Sequence, residues 1–108
     1  MVAEQPSVTL ERDGNVARLT LNRPDSLNAL NRDLIRDLTV TCRELDAADD
    51  VRVVLVRGAG ERAFCVGADL KERSGMDVAE TQQLRVGLVR AFRLLRSLPM
   101  PTVAAVHG

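Results

Sequence analysis

The segment Gly67-Ala68-Asp69 combines residue types that can present a backbone N–H group to an anionic oxygen. Glycine reaches backbone angles that other residues rarely adopt and lets a ligand approach the chain closely. Aspartate is a favoured helix N-cap, so Asp69 can begin or cap a helix. Ala68 would then lie near the positive end of that helix, where negative charge is stabilised. Taken alone, however, a strand-to-helix turn of this kind more often serves only the fold.

Other reactive side chains lie in contexts that suggest little chemistry. His107 is the sole histidine and has no carboxylate partner nearby in sequence, which favours a structural role or none. Cys65 has apolar neighbours and no adjacent base, so we expect an inert thiol, and Cys42 falls on the apolar stripe of a predicted helix. The sequence has no metal-ligand cluster, phosphate-binding loop or serine elbow. We therefore expect no metal and no resident cofactor.

The elements that must position these residues begin with a β-hairpin. Ser7–Arg12 alternates as a strand, and Asp13-Gly14 predicts a two-residue turn with positive φ at both central positions. The return strand runs from Val16 to Asn22, until Arg23-Pro24 ends it because proline cannot donate to a neighbouring strand. One face of the return strand carries Ala17, Leu19 and Leu21.

An amphipathic helix and an apolar strand follow the hairpin. Residues 31–48 show helical spacing of apolar side chains, and Asn31 is the predicted N-cap. The run 53–56 lacks alternation, which is typical of a parallel strand buried on both faces. The predicted core stripe of the helix consists of Leu34, Ile35, Leu38, Cys42 and Leu45.

A second helix and a last strand complete the pattern. Asp77 and Glu80 have capping-box spacing at the start of the helix. Residues 102–106 predict another buried strand, directly before the chain ends. The order ββ, α, β, α, β predicts an α/β fold with right-handed crossovers and a truncated domain over residues 7–108, behind a flexible N-terminus of residues 1–6. The predicted apolar stripe of this helix consists of Leu84, Leu88, Phe92, Leu95 and Leu98.

Composition narrows the classes of function. Fifteen basic and fifteen acidic side chains give a formal net charge of zero, so no net field draws the chain to nucleic acid or to an anionic membrane. Phe64 and Phe92 are the only aromatic residues, which leaves few surfaces for base stacking. Two cysteines, no signal-like run in residues 1–20 and no stretch of transmembrane length favour a cytoplasmic protein without a membrane partner.

Three segments together resemble the enoyl-CoA hydratase/isomerase family, the crotonases. They are residues 22–30 (NRPDSLNAL), 64–72 (FCVGADLKE) and 98–108 (LPMPTVAAVHG). Each alone would be weak, but their order and spacing make the match specific over residues 7–108. The second and third segments are most similar to the methylglutaconyl-CoA hydratase branch.

The resemblance implies a fold and a site. Crotonases are spirals of ββα units that bind acyl-CoA thioesters, so this chain would be the N-terminal part of such a spiral. Two backbone N–H groups stabilise the thioester oxygen as it gains negative charge, and the first donor would be the N–H of Ala68. Coenzyme A is part of the substrate and not a resident cofactor. The implied CoA groove is lined on one side by Val66, Gly67, Ala68, Asp69, Leu70 and Lys71, and on the other by Asp25, Ser26, Leu27 and Ala29.

The resemblance also implies that the second oxyanion donor and the catalytic acids lie beyond Gly108. We therefore expect a lyase of the enoyl-CoA hydratase type by family, but an inactive chain when these 108 residues stand alone. Hydration is the default reaction, and isomerisation, thioester hydrolysis and decarboxylation remain open. Full-length members form trimers or hexamers, so a homo-oligomer is expected. No family position matches Glu61, Glu72 or Glu80, and we assign them no catalytic role.

Two alternatives belong to other classes of protein. The chain could be a non-catalytic product whose unfinished last strand pairs with a separate polypeptide. It could also bind RNA through its arginine-rich helix faces, as the AU-rich RNA-binding relatives of the methylglutaconyl-CoA hydratase branch do. Zero net charge, interleaved acidic residues and scarce aromatics argue against the RNA hypothesis.

Overall fold

The computed structural model describes residues 5–108, so the predicted flexible N-terminus lies mostly outside the described residues and stays a prediction. A short 3-10 turn, Pro24–Ser26, follows the hairpin. Across residues 5–108, none of the helices combines the length and the apolar character that a membrane span requires. The regular elements, in chain order, are β1 (Val8–Asp13), β2 (Val16–Leu21), α1 (Arg32–Asp46), β3 (Val53–Gly58), α2 (Leu70–Arg73), α3 (Val78–Arg96) and β4 (Thr102–Ala104).

The described strands form a four-stranded sheet in the order β1-β2-β3-β4. β1 and β2 pair antiparallel, whereas β2, β3 and β4 run parallel. α1 connects β2 to β3, the α2–α3 segment connects β3 to β4, and α1 packs against α3. The predicted α/β architecture, a hairpin followed by helical crossovers between parallel strands, is confirmed.

The hairpin turn lies one residue later than predicted. Asp13 pairs with Val16 at the ends of the strands, so the central residues of the turn are Gly14 and Asn15. Only Gly14 has positive φ, at 60°. The prediction of positive φ at both central positions was wrong, because glycine at the first central position suits a type II′ turn, which needs only one such angle.

The core lies where α1 packs against the hairpin and α3. The predicted stripe of α1 is buried, and so is the predicted face of β2. Asn31 caps α1 as predicted, because its side-chain oxygen accepts a hydrogen bond from the N–H of Leu34 at 2.9 Å. Burying one leucine stabilises the fold by about 1.5–3 kcal/mol, so the leucines of this stripe hold α1 firmly beside the loop that precedes it.

The N-terminus of α3 is only partly as predicted. The carboxylate of Asp77 accepts from the N–H of Glu80 at 2.8 Å, which confirms the cap. The reciprocal half of the capping box is absent, because the Glu80 carboxylate pairs instead with Arg32 of α1 at 2.9 Å. This ion pair joins the starts of the two helices.

Three burial predictions were wrong. β3 buries Val54 and Val56 but covers its other face only partly, because α1 and α3 pack chiefly on each other. β4 is exposed along its length, since it is the edge strand of the described sheet. In α3, Phe92 is 44% exposed and Ala91 is fully buried. The rest of the predicted stripe packs against the core, so Phe92 is its one misplaced member. These half-buried residues are Leu84, Leu88, Leu95 and Leu98.

Candidate functional site

The loop between β2 and α1 adopts backbone angles that most residues avoid. Leu27 and Asn28 both have positive φ, at 54° and 56°. Asparagine tolerates this region, whereas for leucine it costs on the order of 1–3 kcal/mol. The N–H of Asn28 closes the loop on the carbonyl of Arg23 at 2.8 Å. The surrounding contacts must therefore hold this loop in a strained shape.

The Asn28 side chain is the main tie between this loop and the segment after β3. It is fully buried, and its amide nitrogen donates to the carbonyls of Ala59, Ala63 and Phe64 at 3.0–3.1 Å. Its oxygen accepts from the N–H of Arg23 at 2.8 Å. All the polar atoms of a buried amide are thus satisfied, which fixes one loop relative to the other.

Gly58 makes this arrangement possible. A Cβ at this position would lie 2.8 Å from the Cα of Phe64 and 2.9 Å from the Asn28 amide nitrogen, and it would also collide with the Phe64 carbonyl oxygen. Only a residue without a side chain lets the end of β3 approach the returning chain so closely. The glycine therefore supports the loop that leads to Ala68.

Residues 27–30 and 66–69 run side by side as a short parallel bridge. The N–H of Leu30 donates to the carbonyl of Gly67 at 2.8 Å, and the N–H of Asp69 donates to the carbonyl of Leu30 at 3.3 Å. The N–H of Val66 donates to the carbonyl of Leu27 at 3.2 Å. Instead of the strand expected before Asp69, the structure has an irregular segment held by these bonds, because residue 67 takes a non-strand angle.

The N–H of Ala68 is directed away from this bridge. It shares a planar trans peptide with the Gly67 carbonyl, and the two groups of such a peptide point in opposite directions. Since that carbonyl faces Leu30, the Ala68 N–H faces the other side, and no residue of 5–108 accepts a hydrogen bond from it. Gly67 has φ of 97°, and the space where its Cβ would lie is open. An uncommitted donor therefore lies beside an accessible stretch of backbone.

Asp69 caps α2, as expected of a residue that begins a helix. Its carboxylate accepts from the N–H of Glu72 at 3.0 Å and pairs with the guanidinium of Arg23 at 3.1 Å. The Glu72 N–H bond and the Arg23 charge together hold the pKa of the Asp69 carboxyl below its ordinary value, against an opposing effect of burial. α2 has only four residues, so its dipole contributes little at Ala68.

The other predicted groove residues lie in two places. Asp25 and Ser26 line an open groove of 420 Å³ together with Arg23 and its neighbours Gln5, Asn22 and Pro24. Val66, Leu70 and Lys71 are exposed on and before α2, outside the lining of that groove. Leu27 is partly exposed, whereas Ala29 is buried and its carbonyl accepts from the Arg23 guanidinium.

An apolar cavity of 270 Å³ lies behind the segment that carries Ala68. Its lining includes Phe64 and Cys65, directly before the bridge, and Phe92 and Leu95 of α3. The remaining lining residues are Leu21, Leu30, Leu38, Val56, Thr102 and Ala104. A cavity of this character accepts hydrocarbon and excludes charged groups.

Sequence reasoning missed Arg23, Asn28 and Gly58 as site residues. The first two lie within the NRPDSLNAL segment, and an asparagine between apolar residues after a proline turn is a signal for a left-handed backbone. The role of Gly58 had no sequence signal beyond its position after an apolar strand. Each acts by fixing the geometry of a loop.

The remaining candidates have structural roles. Cys42 is buried in the core as predicted, and burial raises the pKa of its thiol to about 11. His107 contacts the carbonyl of Gly60 through Nε2 at 3.1 Å, and its own carbonyl accepts from Phe64. Within the described part of the chain, no three histidine, cysteine, aspartate or glutamate side chains cluster as metal ligands would.

Fold and site together have the character of a crotonase-type α/β domain. The family model for enoyl-CoA hydratase/isomerase matches residues 11–108, and the chain belongs to that family. Over 105 residues it is 38% identical to a short-chain-enoyl-CoA hydratase of Clostridium acetobutylicum, covering 97% of this chain and 40% of that protein.

Solved structures support the same assignment. The enoyl-CoA hydratase of Bacillus anthracis matches 94% of this chain and 40% of its own, with a TM-score of 0.91 and 32% identity. That of Mycobacterium smegmatis matches 96% of this chain and 41% of its own, with a TM-score of 0.90 and 34% identity. The chain thus spans about 40% of the length of these relatives.

Proposed function

We propose that this chain is the acyl-CoA-binding part of an enoyl-CoA hydratase-like lyase, in which the Ala68 N–H donates to the thioester oxygen. The observation that supports this most is the uncommitted N–H of Ala68, directed away from the bridge that fixes it. A donor already aimed at a developing oxyanion stabilises the transition state more than the ground state. It also needs no reorganisation when the charge appears.

The surroundings suggest where each part of the substrate lies. The apolar cavity behind Phe64 and Cys65 suits an acyl chain, and each methylene buried there contributes about 0.8 kcal/mol, or roughly fourfold in affinity. The open groove beside Asp25 and Ser26, and the exposed Lys71, suit the polar CoA moiety. Coenzyme A enters as part of the substrate, and we propose no other cofactor.

The rest of the active site belongs to the proposal as well. The second donor and the acid–base groups would come from residues outside these 108, in an assembly of trimers or hexamers in the cytoplasm. The nearby carboxylates have other partners, since Glu72 accepts from the N–H of Arg32 at 3.0 Å and Glu80 pairs with the Arg32 side chain. They are therefore poor candidates for the catalytic acid.

Calorimetric titration with CoA, acetyl-CoA, butyryl-CoA and octanoyl-CoA tests this proposal. We expect affinity to rise with acyl length until the cavity is filled, and the thioester carbonyl band of bound butyryl-CoA to move to lower frequency in the infrared. Equal binding of CoA and every acyl-CoA, with an unmoved carbonyl band, would rule out both the acyl cavity and the oxyanion donor.

A second candidate function rests on the exposed β4 edge. Thr102–Ala104 pairs with β3 on one side only and is exposed throughout, as an edge that another polypeptide could cover would be. Light scattering after size exclusion, with and without a fragment holding the C-terminal part of a relative, tests this. A monomer that ignores the fragment would exclude it. RNA binding has less support, because the formal net charge is zero and Arg32 and Arg36 of α1 pair with carboxylates.

A further inference from the structure

The guanidinium of Arg23 joins the two segments that form the parallel bridge. Nη1 donates to the carbonyl of Ala29, at 2.5 Å, and Nη2 lies 3.4 Å from the Ser26 hydroxyl. Nη2 also lies 3.1 Å from the carboxylate of Asp69 on the other segment. The side chains of Arg23 and Asp69 are only 19% and 13% exposed, the lowest values of any ion pair in the described chain.

Asp69 is held from three directions. Its N–H donates to the Leu30 carbonyl, its carboxylate accepts from the Glu72 N–H, and the same carboxylate pairs with Arg23. The neighbouring peptide, between Gly67 and Ala68, is held at its carbonyl by the Leu30 N–H. The plane that carries the Ala68 N–H therefore lies between two anchored points.

We propose that Arg23 and Asp69 are positioning residues, whose ion pair sets the direction of the Ala68 N–H toward the thioester oxygen. This inference rests on the proposed function, because it explains what fixes the direction of the Ala68 N–H. Neither side chain needs to touch the reacting atoms. Arg23 acts by clamping the carbonyl of Ala29 and the carboxylate of Asp69 with one rigid group.

The chain offers variants that separate this role from simple stability. Asp69→Asn keeps a good N-cap for α2 while removing the charge that pairs with Arg23. Arg23→Lys keeps a positive charge but loses the planar fork that reaches both segments. Arg12→Gln is the matched control, since Arg12 also pairs with an aspartate, Asp50 at 2.7 Å, but on the exposed hairpin away from the bridge.

The experiment measures binding of CoA and of butyryl-CoA labelled with ¹³C at the thioester carbonyl, together with the infrared band of that carbonyl. In Arg23→Lys and Asp69→Asn we expect butyryl-CoA affinity to fall by up to about tenfold, the value of one neutral hydrogen bond. The carbonyl band should return toward its frequency in water, and butyryl-CoA should lose more affinity than CoA, whose own loss reports the part of Arg23 that lines the open groove. Arg12→Gln should alter none of these quantities.

Each outcome decides a separate question. A shifted carbonyl band in the unmodified protein that persists in both variants overturns the positioning role and leaves the oxyanion donor intact. No shifted band in the unmodified protein overturns the donor itself, and the positioning role with it. Equal loss of CoA and butyryl-CoA affinity overturns the positioning role, because the ion pair would then act through the CoA groove or through general stability. If Arg23→Lys fails to fold, the carbonyl band of bound butyryl-CoA in Asp69→Asn decides, because an unmoved band contradicts the inference.

Discussion

Replacing the peptide bond before Ala68 by an ester removes the proposed donor and leaves every side chain in place. Cys65 lies three residues upstream, so a thioester of residues 1–64 can be ligated to a synthetic peptide that begins at Cys65. The substitution deletes the Ala68 N–H, which has no acceptor among residues 5–108. It also turns the Gly67 carbonyl into a weaker acceptor for the N–H of Leu30.

The structure provides a matched ester at Val66. Its N–H donates to the Leu27 carbonyl at 3.2 Å, so the Val66 ester removes one bond between the two bridge segments, whereas the Ala68 ester only weakens one. The Val66 ester should lower the free energy of unfolding by about 0.5–1.5 kcal/mol, the net value of one hydrogen bond, and the Ala68 ester should lower it by no more than that. Only the Ala68 ester should weaken butyryl-CoA relative to CoA, by about 2- to 13-fold. In a complete active site, the loss of one donor should raise the activation free energy by about 2.7–4 kcal/mol.

Urea unfolding measures the first quantity, and calorimetric titration of CoA and butyryl-CoA measures the second. The reasoning is refuted if the two esters weaken butyryl-CoA equally, or if the Ala68 ester binds it as tightly as the unmodified chain. In the first case the loss would come from the loosened bridge. In the second the thioester oxygen would have another donor.

Four further predictions address the framework of the site. Asn28→Ala should lower the free energy of unfolding in urea by about 3 kcal/mol, because the fully buried amide is lost and three part-buried carbonyls lose their donor. Gly58→Ala should cost about 1–3 kcal/mol through overpacking, whereas Gly87→Ala, with its nearest neighbour 3.6 Å away, should gain about 0.4–1 kcal/mol. The folded-state pKa of Asp69 is depressed, so the ionised carboxylate stabilises the fold above about pH 4, and this contribution is lost as the pH falls through the folded-state pKa. Asp69→Asn should therefore make the free energy of unfolding less dependent on pH in acid. In the folded chain at pH 8, a thiol reagent should leave Cys42 unmodified, and rapid labelling there would contradict its burial and its pKa of about 11.

Predictions that depend on local periodicity or capping chemistry succeeded. The stripe of α1, the alternation of β2 and the caps Asn31 and Asp77 follow from the residues within one turn of a helix or a few residues of a strand. The three family segments also identified the family correctly. These features need no knowledge of which distant residues meet.

Predictions that depend on distant packing did less well. Ala91 is fully buried, whereas its neighbour Phe92 is 44% exposed and lines the apolar cavity, and helical spacing alone does not distinguish the two. Three of the four hydrogen bonds of the Asn28 side chain likewise depend on a segment more than thirty residues away. A sequence window around the loop contains none of this information.

The availability of the Ala68 N–H is itself a consequence of register. If the bridge were shifted by one residue, the peptide between Gly67 and Ala68 would turn its N–H toward the neighbouring segment, and the donor would be consumed. Asn28 fixes the register at one end through the carbonyls of Ala63 and Phe64, and the ion pair of Arg23 with Asp69 fixes it at the other. The strained angle of Leu27 is tolerated because both anchors hold. The free donor therefore depends on the two polar contacts that flank it, the buried Asn28 amide and the partly buried ion pair, and not on the residue that carries it.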